Sequence, residues 1–197
     1  MATAEFWYEF ASTYSYPAAM RVADLAAPRG VELVWRPFLL GPIFAAQGWR
    51  DSPFNIYPFK GRYMWRDMER ICAAQGLPLK RPDPFPQNSL LAARVALALD
   101  GEARANFSRR LYVAEFGEGL PIAERTTIAA LLAALDLDPD TVLGLAESDA
   151  NKASLKAQNA RALELGLIGA PCLLTEDSEV FWGNDRVEQG LEWAIRA

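Results

Sequence analysis

Phe6-Trp7-Tyr8-Glu9-Phe10-Ala11-Ser12-Thr13-Tyr14-Ser15-Tyr16-Pro17 decides the fold. An aromatic, apolar run breaks into small hydroxyl residues, and a helical pattern starts near Pro17. That order reads as strand, tight turn and helix N-terminus. Backbone N–H groups at such a turn lack intrahelical partners, and the helix dipole favours negative charge beside them. Two roles are open to the hydroxyls. Ser12, Thr13 or Ser15 can cap the helix, or Ser12 can donate to an anion or a thiolate.

The flanking segments give this turn its setting. Glu5 to Phe10 is aromatic-rich and reads as a buried strand. Ala18, Val22 and Leu25 share one face of a helix over Ala18–Ala27, which Pro28-Arg29-Gly30 stops. Val31, Leu33 and Trp35 alternate along a second strand. The three make a β-α-β unit, with parallel strands and a right-handed crossover expected. Near the other end, Gly169-Ala170-Pro171 introduces a strand over Cys172–Thr175. Glu176-Asp177-Ser178 turns it, and Val180 to Trp182 returns as a hairpin. Asp185 to Arg196 is a closing amphipathic helix that Asn184 or Asp185 can cap.

The segment between changes character. Residues 41–60 hold Gly41-Pro42, Gly48, Pro53 and Pro58 among many aromatics, which predicts an ordered loop. A helix follows through Trp65, Met68 and Ile71 to Gln75. Residues 77–87 are Pro-rich and extended. Helices are then predicted over 89–100, 102–116, 122–135, 139–147 and 150–165. The assembled order is α/β and thioredoxin-like, β-α-β … β-β-α. Residues 1–40 and 166–197 form the thioredoxin-like domain, and residues 41–165 an all-helical insertion. A proline opening the third strand is where that fold places a cis peptide, so Ala170–Pro171 is expected cis.

Composition narrows the chemistry. The chain has 197 residues, a net charge of −5 and no histidine. The charge and the absence of a basic block argue against nucleic-acid binding. Without histidine there is no His-based triad and no His-ligated metal. Cys72 and Cys172 lie far apart in apolar surroundings, with no C-x-x-C and no metal spacing, so buried, inert thiols are expected. No charged-then-apolar leader opens the sequence and no 18-residue apolar run occurs, so a cytoplasmic protein is expected.

The chain resembles the 2-hydroxychromene-2-carboxylate isomerases and the related kappa-class glutathione transferases of the DsbA-like thioredoxin group. Four stretches in order carry the resemblance: Phe10-Ala11-Ser12-Thr13-Tyr14-Ser15-Tyr16, Lys60-Gly61-Arg62-Tyr63, Gly169-Ala170-Pro171 and Trp182-Gly183-Asn184-Asp185-Arg186. The resemblance implies glutathione as cofactor, with Ser12 against its sulfur and Ala170, before Pro171, pairing with its cysteinyl part. Asn184 and Asp185, with Trp182 and Gly183, would hold the γ-glutamyl end. Lys60 would lie along the glutathione or acid-substrate side of the cleft. Phe44, Asn55 and Tyr63 become substrate-side candidates, and Trp49 and Trp182 could stack on its ring. An aromatic keto-acid substrate and a homodimer follow from the same resemblance. Thr13 departs from the family, which usually has proline there, and Asp51-Ser52-Pro53-Phe54 stands where kappa enzymes have asparagine before two prolines. A conjugating transferase and a non-catalytic thiol-binding protein are the rival readings. A thiol–disulfide oxidoreductase is disfavoured, because Ser12 and Ser15 occupy the places of its cysteine pair.

Overall fold

Phe6, Trp7 and Tyr8 are adjacent on one strand and all wholly buried, which requires packed layers on both faces of the sheet. In the computed structural model, which describes residues 1–196, that strand is β1 (Ala2–Tyr8), inside a four-stranded sheet of order β2-β1-β3-β4. Parallel β2 (Val31–Pro37) pairs with it from Ala2↔Val31 to Tyr8↔Pro37. On the other side lies antiparallel β3 (Cys172–Thr175), with Cys172 opposite Trp7, and it turns back as β4 (Val180–Trp182). The parallel pair and the hairpin are as expected from sequence.

The first strand, however, ends at Tyr8 rather than Phe10. Glu9, Phe10 and Ala11 turn out of the sheet, and the Ser12 N–H donates to the Glu9 carbonyl at 3.0 Å. Phe10 stays buried by packing against Phe107 and Tyr112. Helix α1 (Ser15–Ala26) begins at Ser15, with Pro17 in its first turn, where a missing N–H loses no hydrogen bond. The Ala170–Pro171 peptide is cis, as are Asp83–Pro84 and Phe85–Pro86.

Between β2 and β3 the chain is helical. Residues 41–60 are not a loop throughout: α2 (Leu40–Ala46) and α3 (Pro53–Ile56) occupy much of that stretch. Pro42 and Pro53 read as breakers, but both sit in first turns, where proline is tolerated. Then come α4 (Pro58–Gln75), α5 (Leu90–Ala98) and α6 (Gly101–Tyr112), which runs into a π turn at Val113–Glu118. α7 (Arg125–Ala133), α8 (Pro139–Ala146) and α9 (Asp149–Glu164) follow, with buried Ile122 ahead of α7 rather than inside it. The chain closes on α10 (Val187–Ala194). Among the described residues no side chain caps the start of α10. Asn184 lies in a short 3-10 turn before it and bonds to Arg21 instead.

Sheet and helices share one core: Phe6, Tyr8 and Trp35 pack in a single cluster with Phe107, Leu111, Tyr112 and Leu132. A smaller cluster on the opposite face gathers Trp7, Phe38, Ala162 and Leu167. Glu5 ties the layers electrostatically. It pairs with Arg36 of β2 at 2.7 Å and with Arg161 of α9 at 2.8 Å, and accepts the Trp7 indole N–H at 3.0 Å. Burial pushes the Glu5 carboxyl up, but the hydrogen bonds and charges of Arg161 and Arg36 outweigh it and hold the group below its usual 4.5.

A depressed folded-state value makes this stabilisation fully present above the unfolded value and lost as pH falls through the folded one. Glu5→Gln should therefore lower the urea midpoint at pH 7. It should also lose less stability than the wild type on acidification below pH 4.5, as successive urea titrations would show.

Candidate active site

The turn between β1 and α1 is held from two directions. Ser12 Oγ donates to the Ala170 carbonyl at 2.9 Å and accepts the Ser15 N–H at 3.3 Å. One hydroxyl thus serves the start of α1 and also grips the loop before β3. That loop is fixed in turn. The Gly183 N–H donates to the Pro171 carbonyl at 2.9 Å, and the Trp182 indole closes over Gly169, where a Cβ would stand 2.6 Å from its Nε1. Ser12, Ala170, Pro171, Trp182 and Gly183 are in this way drawn together from both halves of the thioredoxin-like unit.

Beside Ser12 opens a cavity of about 600 Å³, within the range of small-molecule sites. Glu9, Ala11, Ser12 and Thr13 line it from the turn. Phe44, Trp49, Phe54 and Phe85 supply aromatic surface, and Arg50, Asp51, Gln87 and Ser89 add polar groups. Thr13 is 2% exposed, and its Oγ1 has no hydrogen-bond partner among the described residues. A buried hydroxyl without a partner is uncommon in proteins and leaves a donor for a ligand.

Asn55, Lys60, Tyr63, Asn184 and Asp185 do not line this cavity. Asn184 is buried; its Oδ1 accepts from Arg21 at 3.2 Å, and Arg21 also pairs with Glu188. Asp185 is exposed and acts electrostatically on Tyr14, whose hydroxyl donates to Asp67 at 3.0 Å. Burial first, then Asp67, and then Tyr63 and Asp185 push the Tyr14 hydroxyl up, so it stays protonated. Tyr63 is exposed on α4, and Lys60 lies over the Tyr57 ring at 4.7 Å. Asn55 donates to Asp51 at 3.2 Å and borders a second hollow, with Arg62 and Trp65. Of the three substrate-side candidates, only Phe44 lines the cavity beside Ser12.

The sequence reading passed over Glu9. It is 4% exposed, its Oε1 accepts from the Ser89 hydroxyl, and its carbonyl accepts from the Tyr112 hydroxyl at 2.8 Å. Burial raises its carboxyl to about 7, against the opposing hydrogen bonds of Ser89 and the Ala11 N–H. Behind it Glu115, wholly buried in the π turn, has neither carboxyl oxygen paired among the described residues. Burial and then the Glu9 charge raise it well above the usual carboxylate range. The available signal was a lone acid inside an otherwise aromatic run.

The profile of the DSBA-like thioredoxin domain matches residues 3–193. The 2-hydroxychromene-2-carboxylate isomerase of Sphingobium xenophagum is 27% identical over 187 residues, covering 94% of each chain. The enzyme of the same name from Pseudomonas putida is 24% identical over 93% of this chain and 89% of its own. A solved 2-hydroxychromene-2-carboxylate isomerase superposes with a TM-score of 0.87 at 26% identity, over 98% of this chain and 94% of that one. These are the proteins this chain is similar to along nearly its whole length.

Both cysteines are free and buried, and burial pushes the Cys72 thiol up to about 11 and the Cys172 thiol up to about 12. Neither should react with a maleimide at pH 8 in the folded protein. Both should label once urea exposes them, as intact-mass measurement would show.

Proposed function

The chain belongs to the family of DSBA-like thioredoxin domains, and on that premise we propose that it is a glutathione-dependent isomerase. It would interconvert 2-hydroxychromene-2-carboxylate and trans-o-hydroxybenzylidenepyruvate, or close aromatic analogues. Ser12 carries this reading: a hydroxyl at the head of α1, on an aromatic-walled cavity, in a chain similar throughout to isomerases named for that acid. The turn holds no cysteine, and the two thiols elsewhere are buried and protonated, so the reactive sulfur has to be brought in.

The residues present suit a small thiol peptide. Thr13 Oγ1 is a buried donor without a partner among the described residues, and the Ser12 hydroxyl needs only to turn from the Ala170 carbonyl. Ser12 would hold the sulfur, with Thr13 beside it, and the backbone of Ala170 before Pro171 would hold the cysteinyl part. Asn184 would meet the γ-glutamyl carboxylate with its amide nitrogen, since its oxygen already accepts from Arg21. Asp185 would meet the amino group, with Trp182 and Gly183 bordering it and Lys60 on the outer side. When bound, glutathione supplies a thiolate that adds reversibly to the conjugated double bond and permits rotation about it.

The magnitudes suffice. Lowering a thiol by about two units from its usual ~8.5 takes roughly 2.7 kcal/mol. A charge-assisted hydroxyl hydrogen bond supplies about 1.5–3 kcal/mol and a helix N-terminus about 0.3–1 kcal/mol. Ser12 acts as a donor and not as a nucleophile, because no histidine exists to take its proton. Phe44, Trp49, Phe54 and Phe85 offer stacking surface for a bicyclic substrate.

Ser12→Ala should lower glutathione-dependent isomerisation by about 10- to 150-fold, the worth of one charge-assisted hydrogen bond. Omitting glutathione should abolish turnover, followed as the change in substrate absorbance. Undiminished turnover without the thiol would overturn the assignment.

A further inference from the structure

The cyclic substrate sets a task that a thiol does not perform. A 2-hydroxychromene carries a hydroxyl and the ring oxygen on one carbon, so it is a hemiketal. Opening it moves a proton between two oxygens attached to the same carbon. A carboxyl group, with two oxygens on one carbon, matches that span and can accept and return the proton in a single placement. Resting on the isomerase reading above, we propose that Glu9 is the acid–base group that opens and closes the hemiketal ring.

The step balances without another reagent. The Glu9 carboxylate takes the proton of the C2 hydroxyl. The electron pair of that O–H bond becomes the second bond of the ketone, while the bond from C2 to the ring oxygen breaks and leaves its pair on oxygen. That phenolic oxygen takes the proton from Glu9, which is again a carboxylate. Ring closure is the reverse.

Geometry selects Glu9 for this. It lines the cavity with Ser12 and Thr13, and its carboxyl is oriented by the Ser89 hydroxyl at the head of α5. Tyr112, at the end of α6, anchors its carbonyl. Thr13, whose Oγ1 has no partner among the described residues, borders the same cavity. The other ionisable groups around Glu9 are Tyr112 and Glu115 from the α6 end and the π turn, and Arg50 and Asp51 on the same cavity. Tyr112 and Glu115 are both raised, by burial first, and stay protonated, so Glu9 is the member of the buried cluster that titrates. Its value of about 7 keeps acid and base forms both present near neutrality, where proton transfer in either direction is most effective.

Ring exchange needs no thiol, so it can be measured apart from isomerisation. The hemiketal and its open cis form are followed by exchange NMR with the protein and without glutathione. Wild type should accelerate exchange, with a rate that rises with pH through a midpoint near 7. Glu9→Gln should lose about 10²- to 10⁴-fold of the catalysed rate and its pH dependence, while calorimetric glutathione binding persists. Ser89→Ala leaves the carboxyl in place but removes a donor to its charged form, so its midpoint should move up. A folded Glu9→Gln protein exchanging at the wild-type rate, or an unmoved midpoint in Ser89→Ala, would overturn the proposal. Glu9-dependent ring exchange with no trans isomer formed on adding glutathione would support Glu9 and overturn the isomerase reading.

Discussion

The hydrogen bond from Ser12 to the Ala170 carbonyl spans 158 residues of sequence and closes the two halves of the thioredoxin-like unit on each other. A buried hydroxyl left without a partner would cost about 1–3 kcal/mol, so the turn and the loop before β3 are held in a fixed relation. The bond is also exchangeable. On the reading proposed above, the same donor leaves a neutral carbonyl for a charged sulfur, a bond roughly twice as strong. On that reading, the exchange would ask for a turn of the Ser12 hydroxyl rather than rearrangement of the backbone.

The helical segment between β2 and β3 makes this turn into a cavity. The α2–α3 region contributes Phe44, Trp49 and Phe54, and the proline-rich segment before α5 contributes Phe85. The α3 region packs tightly on α4. At Gly61, a Cβ would lie 2.4 Å from the Phe54 carbonyl oxygen, so α4 can approach α3 this closely only with glycine there. The turn is braced from below in the same way: Tyr16 donates to the Pro78 carbonyl at 2.9 Å and Tyr112 to the Glu9 carbonyl. Of the cavity aromatics, Phe54 and Phe85 pack against the core that helices and sheet share.

The sheet and most helices were legible because side-chain period reports burial directly. Val31, Leu33 and Trp35 alternate, and Ala18, Val22 and Leu25 recur at helical spacing. The misreadings share a cause, since burial is not the same as membership of an element. Phe10 is buried by Phe107 and Tyr112 after the strand has ended, and its apolar character extended the predicted strand by two residues. Pro42 and Pro53 read as breakers because position within a first turn is invisible until the helix start is known. Asn184 is a good capping residue by type, but Arg21, far away in sequence, claims its side chain. The position of Ser12 at the turn before α1 was legible from the break in the apolar run. The surroundings of Glu9 were not, because Ser89, Tyr112 and Glu115 reach it only in three dimensions.

Glu9 and Ser12 sit three residues apart on one turn, with the Ser12 N–H bonded to the Glu9 carbonyl, and both line the same cavity. That proximity constrains the chemistry. An anion stabilised at Ser12 and an ionised carboxylate at Glu9 repel each other across poorly solvated space, so each raises the proton affinity of the other. The cavity therefore favours one negative charge at a time from this pair. Ring opening on the proposed path ends with the proton delivered to the phenolic oxygen and the charge back on Glu9. On the same proposal, formation of a thiolate at Ser12 would be easiest once Glu9 is reprotonated, which would order the two steps electrostatically. A glutamine at position 9 would remove that ordering while preserving shape. That substitution would separate the charge of Glu9 from its packing.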